Sequence, residues 1–187
     1  GNLAIKTVYN SVGTYSTRTT TNPQKIETIY DSQHHTLPVE TRAYYNTSQY
    51  YSTFYGYDNN DGNIRTGLLT RLTDPNGTIT TAGYDVFGRI TWINRPGDDQ
   101  YTNPTMRFSY NQTSSLFWTQ VEQLISGTTY YKARKFYNGL GQLIQSQEDA
   151  TVGGALQTVV TDMEYNNLGL VEAQSMPYAV TLASGFV

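Results

Sequence analysis

Tyrosine followed by aspartate or asparagine recurs along this chain at nearly fixed spacing, and that periodicity constrains the fold more than any other feature. The pairs are Tyr9-Asn10, Tyr30-Asp31, Tyr57-Asp58, Tyr84-Asp85, Tyr110-Asn111, Tyr137-Asn138 and Tyr165-Asn166, with steps of 21, 27, 27, 26, 27 and 28 residues. An eighth pair, Tyr45-Asn46, falls out of register. Asp and Asn fill 23 of 187 positions, so the 17 tyrosines would meet one about twice by chance. Residues 1–187 therefore read as a single tandem array of about seven units.

The chemistry of a turn explains the pairing. Four residues beyond the tyrosine stands Gly13, Gly88, Gly141 or Gly169, and Gly62 follows Tyr57 after a one-residue insertion. An Asp or Asn at the first turn position bonds nearby amides through its short side chain, and a Gly at the fourth accepts positive φ. Tyr-[Asp/Asn]-x-x-Gly thus reads as strand end, turn, strand start. His34 and Ser114 replace the glycine after Tyr30 and Tyr110, which predicts longer or different turns there.

Upstream of each tyrosine, residues at two-residue steps are often apolar, as at Met106 and Phe108 before Tyr110 and at Val159 and Met163 before Tyr165, the period of a half-buried strand. A second run follows each glycine, then a second loop such as Asp74-Pro75-Asn76-Gly77, Pro96-Gly97-Asp98-Asp99 or Gly153-Gly154. Sustained 3.6-residue stripes with caps are missing, so the expectation is an all-β chain of antiparallel hairpins. Leu, Ile, Val and Phe make up only 39 residues, but the net charge is −3 and the tyrosines add buriable surface, which favours a folded chain.

Tyr84-Asp85-Val86-Phe87-Gly88-Arg89-Ile90-Thr91 resembles the YD repeat of the RHS family, and Asp74-Pro75-Asn76-Gly77 resembles that family's inter-strand turn. Phe136-Tyr137-Asn138-Gly139-Leu140-Gly141-Gln142-Leu143-Ile144-Gln145 is similar to a variant unit of toxin-complex shell proteins, and Ser175-Met176-Pro177-Tyr178 to a Pro-aromatic element that often follows. The resemblance implies a continuous, twisted sheet spiralling into a hollow extracellular shell around a cargo segment, as in RHS polymorphic toxins, toxin complexes and teneurins. About 12 to 14 strands at ~4.8 Å, each of ~9 residues at ~3.3 Å, make a patch of roughly 60 by 30 Å. Such a patch is a section of wall rather than a whole shell. The chain opens at Gly1 and closes on Ser184-Gly185-Phe186-Val187, which suits a piece of a longer polypeptide. Its open sheet edges are expected to pair with more of its own chain or with further copies.

Chemistry-bearing groups are sparse. The chain has no cysteine, which excludes disulfides, thiolate metal sites and thiol nucleophiles. Twelve dispersed Lys and Arg residues argue against nucleic acid, and no eighteen-residue apolar run exists to span a membrane. His34 and His35, adjacent on a strand, would point to opposite faces and read as surface turn. Asp58 to Asn63 is similar to a calcium loop, but Leu69 stands where the bidentate Glu belongs, so an enlarged turn is the reading. Asp98-Asp99 and Glu148-Asp149 read as solvated turn carboxylates, and no nucleophile elbow or phosphate loop occurs. No enzyme activity, metal or cofactor is expected.

One run could bind a ligand. Tyr130, Lys132, Arg134 and Phe136 share a strand face, and aromatic platforms beside cations suit sugar rings or anionic glycans; the competing reading is cross-strand stabilisation. Asn46, Asn76 and Asn111 fit the N-glycosylation pattern. The expected function is a structural wall segment of a secreted, cargo-enclosing shell. The alternative is an extracellular surface or fibre-forming protein that self-assembles, adheres or binds glycans.

Overall fold

A computed structural model of the chain describes residues 8–10, 24–46, 48–58, 65–111, 116–183 and 185–187, with backbone alone at 8–10 and 24. All regular structure among these residues is β, and by compactness the chain divides into two units. Residues 1–89 with 95–97 form the first, and 90–94 with 98–187 the second.

In the first unit, β1 (Val8–Asn10), β2 (Gln24–Tyr30), β3 (Pro38–Tyr44), β4 (Tyr50–Tyr57), β5 (Leu69–Thr73) and β6 (Ile79–Tyr84) each pair antiparallel with the next in sequence. Connections are short, so sequence neighbours become spatial neighbours. Bulges occur at the ends of β2, between Ile29 and Tyr30, and of β4, between Gly56 and Tyr57. The extra residue lies on the partner strand, Val39 in β3 and Thr70 in β5, and bends that strand opposite the repeat tyrosine.

The second unit holds β7 (Ile90–Asn94), β8 (Met106–Asn111), β9 (Phe117–Ser126), β10 (Thr129–Tyr137), β11 (Leu143–Val152), β12 (Ala155–Tyr165), β13 (Val171–Gln174) and β14 (Tyr178–Val180). These again pair in sequence order, except that β13 and β14 both lie along β12, on Met163–Tyr165 and Thr158–Val160. Gly153 and Gly154, with φ of 61° and 83°, close β11 onto β12 as a two-residue loop. Two positive φ values match the twist of the flanking strands, which explains the glycine pair.

Period two gives this sheet two unlike faces. One register row reads Phe108, Val121, Ala133, Glu148, Val159 and Ala179, the other face Ser109, Gln120, Arg134, Gln147, Val160 and Tyr178. Deepest burial is on the more polar face: Phe136 is 2% exposed, and Gln145 and Val160 are at 0%. The cover is the end of the same chain, where Ala183 and Gly185–Val187 lie across β12, β11 and β10.

Candidate functional site

The repeated feature of the chain is a turn joined to a clasp. In four turns the geometry recurs almost without change. The N–H of Asp74, Asp85, Asn138 or Asn166 donates to the carbonyl four residues on, at 2.9, 2.9, 3.0 and 2.9 Å, and the glycine N–H returns to the first residue's carbonyl at 3.0, 3.0, 2.9 and 2.9 Å. The Oδ1 of that first residue accepts two further amides, from positions two and four along. Gly77, Gly88, Gly141 and Gly169 stand at φ of 79°, 77°, 78° and 77°. An L side chain there is strained by sterics, so glycine is required by backbone conformation. Since Asn and Asp both serve, the group that the turn geometry requires is the carbonyl-like Oδ1. The Asp74 turn, read in the sequence as a second, inter-strand loop, is the same device without a tyrosine before it.

After Tyr30, where His34 stands in place of the glycine, the loop is longer, as the sequence reading expects. Asp31 is 3% exposed, and its carboxylate accepts amides from His34, His35, Thr36 and Leu37. His35 takes the positive φ, 54°. Partial removal from water raises the Asp31 carboxyl, but the four amides outweigh it and hold the group far below the usual carboxylate range. Asp58 behaves alike: the Thr66 hydroxyl first, then the amides of Arg65, Thr66 and Gly67, bring it to about 2 against the opposing effect of burial. In Asp85, desolvation raises the pKa and is overcome by the Arg89 amide, the Arg89 side chain at 2.7 Å and the Phe87 amide.

The clasp belongs to the tyrosine. Tyr57 donates its hydroxyl to Pro38 O at 2.8 Å, Tyr84 to Leu69 O at 2.8 Å, Tyr110 to Ile90 O at 2.9 Å and Tyr165 to Leu143 O at 2.8 Å. Each acceptor is the first residue of the strand preceding the tyrosine's own, so the phenol ties one strand's end to its neighbour's start. Burial raises the Tyr57 and Tyr84 phenols, which keeps them protonated as donors. Within each unit, successive repeat tyrosines from Tyr30 to Tyr84 and from Tyr110 to Tyr165 sit two strands apart, about 9.6 Å, beyond the reach of ring stacking. Ring pairs join adjacent strands, as in Tyr44 with Tyr50 at 4.9 Å.

The remaining candidates are placed as follows. Tyr9 lies in β1, Tyr30 ends β2 opposite Pro38, and Tyr137 ends β10 opposite Phe117 and Leu143. Gly13, Gly62 and Ser114, with most of the calcium-like loop, lie outside the described residues. His34 and His35 serve the Asp31 loop through their amides, and no cluster of three His, Asp or Glu side chains suited to a metal occurs among the described residues. Asn76 is exposed in its turn; Asn46 caps the β3 to β4 hairpin by accepting the Ser48 and Gln49 amides; Asn111 ends β8.

Tyr130, Lys132, Arg134 and Phe136 do share one face of β10, but their aromatic surfaces are engaged. Tyr130 donates to Pro104 O at 2.7 Å beneath Arg107, whose guanidinium sits 4.1 Å from its ring. Phe136 lies edge-on to Phe186 at 5.5 Å. Arg134 bonds Gln120 Oε1 and lies over Trp118, and desolvation lowers its pKa. Lys132 alone of the four is well exposed, 3.9 Å from Glu122. Sequence reasoning missed the buried glutamines on the same face. Their signal is the alternation Gln145-Ser146-Gln147 inside a strand.

Compared with known families, residues 65–98 match the RHS Repeat model, a stretch holding the Asp74 turn, the Tyr84 clasp and the Asp85 turn. No curated protein matches the chain.

Proposed function

We propose, from the premise that this is an RHS/YD-repeat chain, that its work is structural: it forms a section of wall in a secreted shell that encloses a toxin or effector cargo. The observation that carries the reading is one turn and one clasp repeated in both units. A module that completes its neighbour with the same bonds each time builds sheet by addition. Such a surface needs no catalytic constellation, only length.

A second reading is favoured by the edge formed by β13 and β14. Val171 to Gln174 are exposed throughout, and Leu168, Leu170 and Met176 add apolar surface at 83%, 62% and 85% exposure. An unprotected, apolar edge invites another strand, from the chain's own continuation or from a further copy. In the second case, edge pairing makes surface fibres and the function is assembly or adhesion. A glycan site on Tyr130, Lys132, Arg134 and Phe136 would belong to this second reading and requires Phe186 to leave Phe136.

Electron microscopy of the protein carrying this sequence, as released by its own cells, separates the two. Hollow particles with internal density are expected. Open filaments without a lumen would overturn the shell reading in favour of edge assembly.

A further inference from the structure

We propose that the polar face of β10, β11 and β12 is a binding site for extended peptide, read through its main chain and anchored by one aromatic side chain. In this chain the site is held in cis by Ala183 and Gly185–Val187. The proposal does not depend on the wall reading.

The argument begins with spacing. Gln145 and Gln147 are two residues apart on one strand face, and they bond residues two apart in the bound segment: Gln147 Nε2 donates to Gly185 O at 2.8 Å, and Gln145 Nε2 to Val187 O at 3.0 Å. Two extended chains laid one over the other share the same repeat, about 6.6 Å per pair of residues, so the glutamines can address every second peptide group. Gln145 also accepts the Val187 amide at 3.1 Å. Donating to and accepting from one residue imitates the exchange in a β-ladder, with a side-chain amide replacing a strand. Thr158 Oγ1 continues the series by accepting the Ala183 amide at 2.9 Å.

The amides are held in advance. Gln145 Nε2 donates to Asp162 Oδ1 at 2.6 Å, and a carboxylate can only accept, so the amide orientation is fixed. Gln147 Nε2 then donates to Gln145 Oε1 at 2.7 Å. Locked donors lose little freedom on binding, which favours recognition over mere coverage. Odd-numbered residues of the segment are read by backbone, and Phe186 between them packs its ring against buried Phe136. Beside Ala183 lies a shallow polar recess lined by Lys132, Arg134, Gln147, Asp149 and Thr158. The ligand class is thus an unpaired, extended peptide with an aromatic residue placed as Phe186 is.

The test uses the full chain and a fluorescent peptide, Thr-Leu-Ala-Ser-Gly-Phe-Val. In the wild-type chain the cis segment competes. Phe186→Ala removes the anchor, so the Val187 amide should exchange with solvent about tenfold faster and the peptide should bind about tenfold tighter than to wild type, by anisotropy. Gln145→Leu with Gln147→Leu in that background should abolish binding while the β circular dichroism persists, and a peptide with Phe replaced by Ala should not bind. Unchanged exchange at Val187 in Phe186→Ala would overturn the proposal, as would equal affinity for wild type and Phe186→Ala. Binding insensitive to the glutamine replacements would place the peptide elsewhere, for instance on the β13 edge, and would equally refute it.

Discussion

Two glycines in one turn should respond to the same substitution with opposite sign. Gly141 stands at φ 78° and Gly139 outside the positive region, and a Cβ built on either meets nothing within 4 Å. Space is therefore not at issue, and only backbone conformation differs. Gly141→Ala forces an L residue into the left-handed region, a cost of about 1–2 kcal/mol. Gly139→Ala restricts the unfolded chain without straining the folded one and should stabilise by about 0.4–1 kcal/mol. The separation between the variants is thus roughly 1.5–3 kcal/mol. In a unit of this size, each kcal/mol moves the melting midpoint by about 4–8 °C. Trp92 and Trp118 both lie in the second unit, so tryptophan fluorescence during urea or thermal unfolding reports on the unit that contains the turn. If both variants lose stability equally, or Gly141→Ala is neutral, the assignment of this turn to glycine conformation is wrong.

Two further outcomes follow from the clasp and the turn. Tyr165→Phe removes only the hydroxyl bonded to Leu143 O and should cost about 1 kcal/mol in urea unfolding; no change would mean that the phenol contributes packing alone. The Asp31, Asp58 and Asp85 carboxyls are all held below their ordinary values, so each stabilises the fold above the ordinary carboxylate range and loses that contribution as pH falls through its folded value. Stability should therefore fall between about pH 4 and 2. Asp85→Asn, which copies Asn138 and Asn166, should leave the neutral fold intact and reduce the acid sensitivity; an acid limb as steep as wild type would refute that role for Asp85.

How much of this was legible beforehand depended on whether the cause was local. Turn positions were readable because Asp or Asn and Gly act within five residues, as at Asp85 and Gly88. Strand alternation was readable because period two needs no partner. The tyrosine clasp was not, because the same residue type serves rings that stack and hydroxyls that reach a neighbouring strand; only the pairing of β11 with β12 brings Tyr165 to Leu143. The buried glutamines were hidden for a related reason. Their burial is imposed by residues 38 to 42 positions away, a separation that no local pattern encodes.

That difference in separation has a kinetic consequence. The hydroxyls of Tyr57, Tyr84, Tyr110 and Tyr165 reach back only 15 to 22 residues, and among the described residues every strand pairs with one close to it in sequence, an unusually local wiring for a β protein. Local contacts close small loops at low entropic cost and form fast. As the chain leaves the ribosome, each new strand finds its partner already made, and the sheet can grow at the pace of synthesis. Phe186 and its neighbours are the exception, since they can dock only after β10, β11 and β12 have assembled beneath them. The closing of the polar face therefore waits on the three strands that it covers.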